Sequence, residues 1–457
     1  MPKVYSARWV LPIISPAIDD GAVAIDDSAI VAVGTRADVR AAFPDAARED
    51  FGHAVIVPGF VNTHSHLELT VMRGFLEREE HDFFAWLKKL TLARLKMTDE
   101  DLFVSAACGA IEAARAGITC VGDSSSFAVQ SMRAINEIGL RSIVYQESFG
   151  PDPKFASENT ARLRAQIDDV RSLETNLARA GVSPHAPYTV SAPQLQMISQ
   201  LAIDEKLPLM MHAAESKAEQ EFILHGRGPF AEGLKARGIG WSAPGVSTVK
   251  YLSDQGVLAT HPLLAHCINV DDEDLELIKN THTGVAHCPK SNAKLRHGHA
   301  PFAKFLAHGI NVGLGSDSVA SNNLCDMIEE ARFATLMARV DRADNDASSE
   351  PLRDVSAGAA LFAATLGGAR AMGLDDRIGA LREGLQADIA VVSLNGSHQQ
   401  PVNDPQETLI FSSSGRDVVL TLVAGREIYR DSRLTTADES DFCNRIKDIS
   451  AKISGAA

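Results

Sequence analysis

Eight times along this chain, a short apolar run ends in a polar or histidine-bearing stretch and gives way to a helical pattern. The runs are AVIVPGFVNTHSH (54–66), AGITCVGDSS (116–125), RSIVYQES (141–148), AGVSPHAP (180–187), LPLMMHAAES (207–216), PLLAHCIN (262–269), TGVAHCPKSN (283–292) and INVGLGSDS (310–318). Near-continuous apolar strands alternating with helices imply a parallel sheet covered on both faces. Eight such units predict an α/β fold, a closed (β/α)8 TIM barrel, whose functional groups stand at the C-terminal ends of the strands. His64, His66, His185, His212, His266, His287 and Asp317 all stand at those ends.

Between the runs, residues 99–115 carry apolar positions at helical spacing, with Thr98 placed to cap the N-terminus. Residues 302–309 repeat the pattern and stop at Gly309, and 323–340 make a further long helix. The chain ends differ: residues 3–56 and 386–430 show short alternating runs separated by turn residues. Neither end is long enough for a sheet of its own. The expectation is one small β-sandwich domain built from both, residues 1–56 and 386–457, flanking a barrel over 57–385. Residues 439–457 predict a short helix and a small-residue tail.

The net charge of −15 disfavours a nucleic-acid partner, since such a surface repels phosphate backbones. Six cysteines without a C-x-x-C pair argue against a disulfide framework and for a reducing, cytoplasmic setting. Pro12 and Pro16 interrupt the N-terminal segment, which reads as a strand rather than a signal peptide. No apolar run is long enough for a membrane span, so no membrane partner is expected.

Residues i and i+2 of a strand share a face, so His64 and His66 would point into the barrel together. His212 and Asp317 each terminate an apolar strand. Taken singly, a strand-end histidine often only bonds a carbonyl, and an aspartate before a helix is commonly a cap. Together, three imidazoles and a carboxylate suit one divalent ion, Zn2+ or Fe2+, and leave a position for water. Glu215 follows His212 in an H-x-x-E spacing, at the strand-to-helix turn, where it reads either as a proton carrier or as a first-turn glutamate favoured by the helix dipole.

The segments PGFVNTHSH, HAAES, AHC, HCPKSN and GLGSDSVASNN resemble the amidohydrolase superfamily, in the branch of S-adenosylhomocysteine/methylthioadenosine deaminases, guanine deaminase and triazine chlorohydrolases. The resemblance implies that His64, His66, His212 and Asp317 ligate the metal and that Asp317 also accepts a proton from its water. It implies that Glu215 moves protons to the ring and the departing amine, and that His266 orients the attacking water. It also implies that His185 lies against the substrate ring, although a hydrogen-bonded core histidine is the alternative there. Binuclear relatives end strand 4 in a bridging Lys or Glu; here that strand ends SPHAP, so one metal is expected. His287, Asn292, Ser321, Asn322 and Asn323 are further candidates, Ser321 for substrate binding.

Residues 75–97 are placed to cap the pocket, with Phe83, Phe84 and Trp86 either stacking on a planar heterocycle or forming a helix's apolar face. The methylthioadenosine/adenosylhomocysteine deaminases share an F-x-x-W-L stretch there but carry a Glu beyond it that grips the ribose. The corresponding positions here are Leu92, Ala93, Arg94 and Leu95. HLELTVMRGFLE, FFAWL and YQESFGPDP are more similar to the aminofutalosine deaminase group. The expectation is therefore an aminohydrolase releasing ammonia from a 6-aminopurine nucleoside, with aminodeoxyfutalosine the favoured example, working as a homo-oligomer. Two alternatives stand: hydrolysis of a triazine, pterin or other N-heterocycle with a different leaving group, and a non-catalytic metal-binding barrel. Glu215 and His266 argue against the second, because mere binding needs neither.

Overall fold

A computed structural model describes residues 2–344 and 355–455; the last residues of the small-residue tail, 456–457, lie outside them. Eight strands form the barrel: β1 (Phe60–Ser65), β2 (Ile118–Ser125), β3 (Arg141–Ser148), β4 (Ala178–Pro184), β5 (Met210–Ala213), β6 (Leu263–His266), β7 (Gly284–His287) and β8 (Val312–Leu314). They pair in parallel as β1-β2-β3-β4 and β5-β6-β7-β8. Two parallel bridges close the ring, Val182↔Leu209 between β4 and the entry to β5, and Ser65↔Asp317 between β1 and the end of β8. At the second seam the Asp317 amide donates to the His64 carbonyl at 2.9 Å. Closing the fold thus brings together two candidate ligands from distant parts of the sequence.

Alternation along the strands sends Val61, Cys120, Ile143, Tyr145, Met210, Leu263, Ala265 and Ala286 into the barrel, where they fill its lower part as a dry core. The opposite faces pack against the helices. Helix Asp99–Arg115 begins at Thr98, whose side chain accepts from the Asp101 amide while Asp101 accepts from the Thr98 amide. Such a reciprocal cap is worth about 1 kcal/mol.

The structure divides one expected run and shifts one expected helix. Residues 54–66 form two strands, Ala54–Pro58 and β1, with Gly59 between them. A Cβ on Gly59 would lie 2.1 Å from the Thr119 side chain, so only glycine lets the chain pass from sheet to barrel there. The helix expected from residue 323 runs instead over Met327–Asp344. Asn323 ends a preceding single turn, Val319–Asn322, in the left-handed conformation, and Asp326 accepts from the Ile328 amide to start the long helix afresh.

Strands from both chain ends share one nine-stranded sheet, joined where Ala54–Pro58 pairs antiparallel with Ile389–Ser393. The sheet rolls over, so that the hairpin turn before Ala29 bonds back to the segment preceding Ile389–Ser393: Ala387 N donates to Ser28 O at 2.8 Å. Tyr5, Val10, Val23, Ile30, Ile56, Ile389, Val391, Leu420 and Leu422 form a core there that is separate from the barrel's. Among the described residues, no helix is long and apolar enough to cross a membrane.

Candidate metal centre and active site

His64 and His66 project from the end of β1, His212 from β5, His266 from β6 and Asp317 from the turn after β8. Backbone geometry helps aim them. Asp317 (φ 55°), His266 (φ 73°), Cys267 (φ 47°) and Ala214 (φ 53°) all adopt left-handed conformations, each costing about 1–3 kcal/mol for a residue with a Cβ. Such strain concentrated at strand ends fixes where side chains point.

The donor atoms converge. His64 Nε2 lies 3.3 Å and His66 Nε2 3.6 Å from Asp317 Oδ1, and the Nε2 atoms of His66 and His212 are 3.3 Å apart. Four ligands at about 2.1 Å in a tetrahedron have edges of about 3.4 Å, which these three separations match. His64, His66 and Asp317 form one group whose donor atoms all lie within 4.8 Å of one another, and His64 and His212 form a second with His266. His64 is fully buried, yet neither of its ring nitrogens has a hydrogen-bond partner. A buried imidazole without a partner is costly unless something else uses its lone pair. Burial holds the His64 ring neutral, with its pKa lowered to about 3, which is the form that binds a metal. His212 commits Nδ1 to the His185 carbonyl at 2.9 Å, turning Nε2 to the centre. Asp317 Oδ2 accepts from Ser291 Oγ at 2.5 Å and Ser321 Oγ at 3.1 Å, which leaves Oδ1 facing the histidines. Burial works against ionisation of Asp317, but the His64, His266 and His66 rings outweigh it and hold the carboxyl well below its ordinary range.

Beside this cluster stands Glu215, whose Oε1 lies 3.7 Å from His266 Nε2 and 3.6 Å from His297 Nε2. His266 is fixed by a 2.8 Å bond from Nδ1 to Asn292 Oδ1. Burial would raise the Glu215 carboxyl, yet the His266, His297 and His212 rings bring it below the usual value, so it is ionised at neutral pH. Glu219 supports the turn from beneath by accepting from the Ala214 and Glu215 amides at 2.7 and 3.1 Å. On the opposite side, half-buried His185 bonds Thr189 Oγ1 at 2.9 Å and lies tilted against Phe149, ring centroids 4.7 Å apart.

The other candidates take supporting places. Ser321 is turned to Asp317 rather than into open space. His287 packs against Phe302, ring centroids 5.2 Å apart, and belongs to none of the clusters that could hold a metal among the described residues. Asn322 ties the turn together through Ser316 O and Glu330 Oε1 at 2.6 and 2.7 Å. In the capping segment, Trp86 is buried and stacks on Phe83, and it is Phe83 that meets the site, edge-on to His297 at 4.7 Å. Sequence reasoning missed Ser291 and His297. Ser291 stood inside a quoted segment, HCPKSN, whereas His297 lies on a loop with no periodic signal. A larger cavity of about 750 Å3, walled by Arg73, Glu112, Arg115, Asp326 and Tyr429, contains none of this chemistry.

A barrel whose strand ends gather three imidazoles, a carboxylate and a free glutamate defines the class of metal-dependent hydrolases. The chain belongs to the amidohydrolase family, whose model matches residues 55–428; residues 21–46 also match an imidazolonepropionase-like composite domain of bacteria. It is an enzyme hydrolysing carbon–nitrogen bonds other than peptide bonds. It is 32% identical over 440 residues to a 5-methylthioadenosine/S-adenosylhomocysteine deaminase of Syntrophobacter fumaroxidans, covering 95% of this chain and 94% of the relative. The namesake from Symbiobacterium thermophilum is 32% identical, with 98% of each chain covered. Among solved structures, a zinc-bound adenosine deaminase from Xanthomonas campestris superposes with a TM-score of 0.85 at 27% identity, covering 99% of this chain and 98% of that one. An atrazine chlorohydrolase from Arthrobacter aurescens shares the fold at a TM-score of 0.83 and 23% identity, covering 98% of this chain and 100% of that one.

Proposed function

We propose that this enzyme is a metal-dependent deaminase of 6-aminopurine nucleosides, with one divalent ion, Zn2+ first and Fe2+ second, held by His64, His66, His212 and Asp317. The observation that carries the reading is that Asp317 Oδ1 lies 3.3 and 3.6 Å from the Nε2 atoms of His64 and His66, and His66 Nε2 3.3 Å from that of His212, with an ionised Glu215 beside them. The named activities of the relatives, on methylthioadenosine, adenosylhomocysteine and adenosine, support the substrate class. The resemblance of HLELTVMRGFLE, FFAWL and YQESFGPDP to the aminofutalosine deaminases makes aminodeoxyfutalosine the favoured example within that class. The reaction partner is a small N-heterocyclic molecule.

A bound divalent ion supplies hydroxide at neutral pH by lowering the pKa of its water from about 15.7 toward about 7. This chain's residues do the rest. His266, locked by Asn292, orients the attacking water. Glu215 takes one proton from that water and gives it to the ring nitrogen beside the attacked carbon as the oxygen adds there. Asp317 takes the second proton, from the new hydroxyl, and it passes through Glu215 to the exocyclic nitrogen. The bond to that nitrogen breaks, ammonia leaves with the delivered proton, and the ring keeps a carbonyl oxygen and an N–H.

Ammonia release should be measured with adenosine, methylthioadenosine, adenosylhomocysteine, aminodeoxyfutalosine, guanine and atrazine, the last scored also for chloride. Turnover of 6-aminopurine nucleosides is expected. Glu215→Gln should lower kcat by about 10^2–10^4-fold with the metal retained. Unchanged activity in that variant refutes the role given to Glu215. Preference for a triazine refutes the nucleoside assignment.

A further inference from the structure

We infer that Glu147 is the specificity residue for the sugar side of the substrate, one carboxylate oxygen accepting a sugar hydroxyl while Ser126 and Arg94 hold the group in place. The inference rests on the nucleoside reading above. Glu147 lies near the C-terminal end of β3, in register with Ile143 and Tyr145, which face the barrel interior. Its side chain is buried at 5% exposure. One oxygen, Oε2, accepts from Ser126 Oγ at 2.7 Å, and Ser126 Oγ in turn accepts from Arg94 Nη1 at 3.1 Å. Arg94 is the last residue of the helix Phe83–Arg94, which caps the pocket. The other oxygen, Oε1, is buried and has no partner. Leaving a buried acceptor unmet costs about 1–3 kcal/mol, more for a charged one, so this atom is set for a donor that arrives with a ligand.

Position decides which donor. A ligand atom of Glu147 lies within 4.8 Å of one each from His185 and His212. Glu147 therefore borders the metal cluster on the β3–β4 side, away from Glu215, His266 and His297. With a ring nitrogen at Glu215 and the reacting carbon at the metal, the base's substituent is directed toward β3 and β4. A cavity of about 240 Å3 continues there, past Ser148, Phe149 and Asn159 to Arg162. The protein's own donors nearby are committed, His212 Nδ1 to His185 O and His185 Nδ1 to Thr189. The capping helix, FFAWLKKLTLAR, carries no acidic residue, so an acceptor for hydroxyls on this side comes from outside it; Glu68, 3.7 Å from Arg94 Nη1, already has Oε2 taken by Ser125 Oγ and the Phe127 amide. Glu147 supplies it, and Arg94 and Ser126 are positioning residues that act through it. Fixing the carboxylate also ties the capping helix to the occupied pocket.

The test compares kcat/KM for adenosine with 2′-deoxyadenosine and 3′-deoxyadenosine. The unmodified enzyme should prefer adenosine over at least one deoxy form by about 10-fold or more, equivalent to about 1.4 kcal/mol. In Glu147→Ala that preference should fall to within about 3-fold at unchanged zinc content, and Glu147→Asp should restore part of it. Ser126→Ala, which leaves the carboxylate in place, should weaken the preference and serves if Glu147→Ala does not fold. A merely structural role would lower all three rates alike. A preference that survives in both Glu147→Ala and Ser126→Ala overturns the inference. So does an inhibitory second zinc ion that Glu147→Ala abolishes without moving the preference, because Glu147 would then serve a cation. Turnover by the unmodified enzyme of none of these three, nor of methylthioadenosine, adenosylhomocysteine or aminodeoxyfutalosine, instead refutes the nucleoside reading itself.

Discussion

Asp317 shows how much of a metal site is set by groups that never touch the metal. Its two oxygens have different neighbours: Oδ2 receives the hydroxyls of Ser291 and Ser321, and Oδ1 faces His64 and His66. Hydrogen bonds of this kind fix a ligand's orientation, and their loss commonly costs 10–100-fold in metal affinity or activity. Ser291→Ala should therefore lower zinc affinity by about 10-fold or more, and Ser321→Ala, with the longer bond, by less. Metal-buffered titration of each variant measures this, and equal affinities in both variants and the parent refute the orienting role. The sequence showed the chemistry-bearing residues whose relation is local. His64 and His66 share a face because a strand repeats every two residues, and Glu215 follows His212 across one turn. It did not show Ser291 reaching Asp317, because that contact joins the short helix Pro289–Lys294 after β7 to the turn after β8, and no local pattern encodes which hydroxyl arrives.

At the scale of elements, alternating strands and helices were legible because each strand is buried on both faces and reads as an unbroken apolar run. The helix start at Thr98 was legible because its cap is a local motif. The start of the helix Met327–Asp344 was not, since apolar spacing runs on through Asn323 and only the left-handed turn there interrupts it. That helix also carries a testable feature. Glu330 is fully buried beneath the Ser316–Asn322 turn, accepting from Asn322 Nδ2 at 2.7 Å and the Lys290 amide at 3.4 Å. Burial raises its pKa to about 8, with Lys290 and Asn322 only partly opposing. The folded protein therefore keeps Glu330 protonated where the unfolded chain has already ionised it. Between about pH 4.5 and about pH 8 the unfolded state binds fewer protons at this residue, so its contribution to stability falls as pH rises and levels off above. Glu330→Gln removes that dependence. The Tm of the variant minus that of the parent should become more positive from pH 5 to pH 8.5. A difference that is flat with pH refutes a protonated Glu330.

At the scale of the whole molecule, barrel and sheet are joined by a buried ion pair. Arg141 opens β3 and Asp388 precedes the strand Ile389–Ser393; their side chains are 2% and 1% exposed. The guanidinium bonds both carboxylate oxygens, Nε to Oδ2 at 2.9 Å and Nη2 to Oδ1 at 3.0 Å. Asp388 also receives the Ala424 amide at 2.8 Å, and its carbonyl receives the Gly59 amide at 2.9 Å, at the crossing from sheet to barrel. Removing the arginine alone strands a charged carboxylate in a dry interior, which typically costs about 3–5 kcal/mol. Removing both charges costs far less, because the desolvation that the pair must overcome disappears with it. Arg141→Ala should therefore shift the guanidinium midpoint strongly downward, and Arg141→Met combined with Asp388→Leu should recover more than half of the loss. The metal site lies at the opposite end of β3 from Arg141, so zinc content in the folded variants should match the parent. If the double variant is no more stable than Arg141→Ala, the pair's value lies in the amide and carbonyl contacts around Asp388 and not in compensating buried charge. The sheet would then be held to the barrel by those backbone bonds and by apolar packing, in which Val55, Val57, Ala390 and Val392 join the barrel's own core.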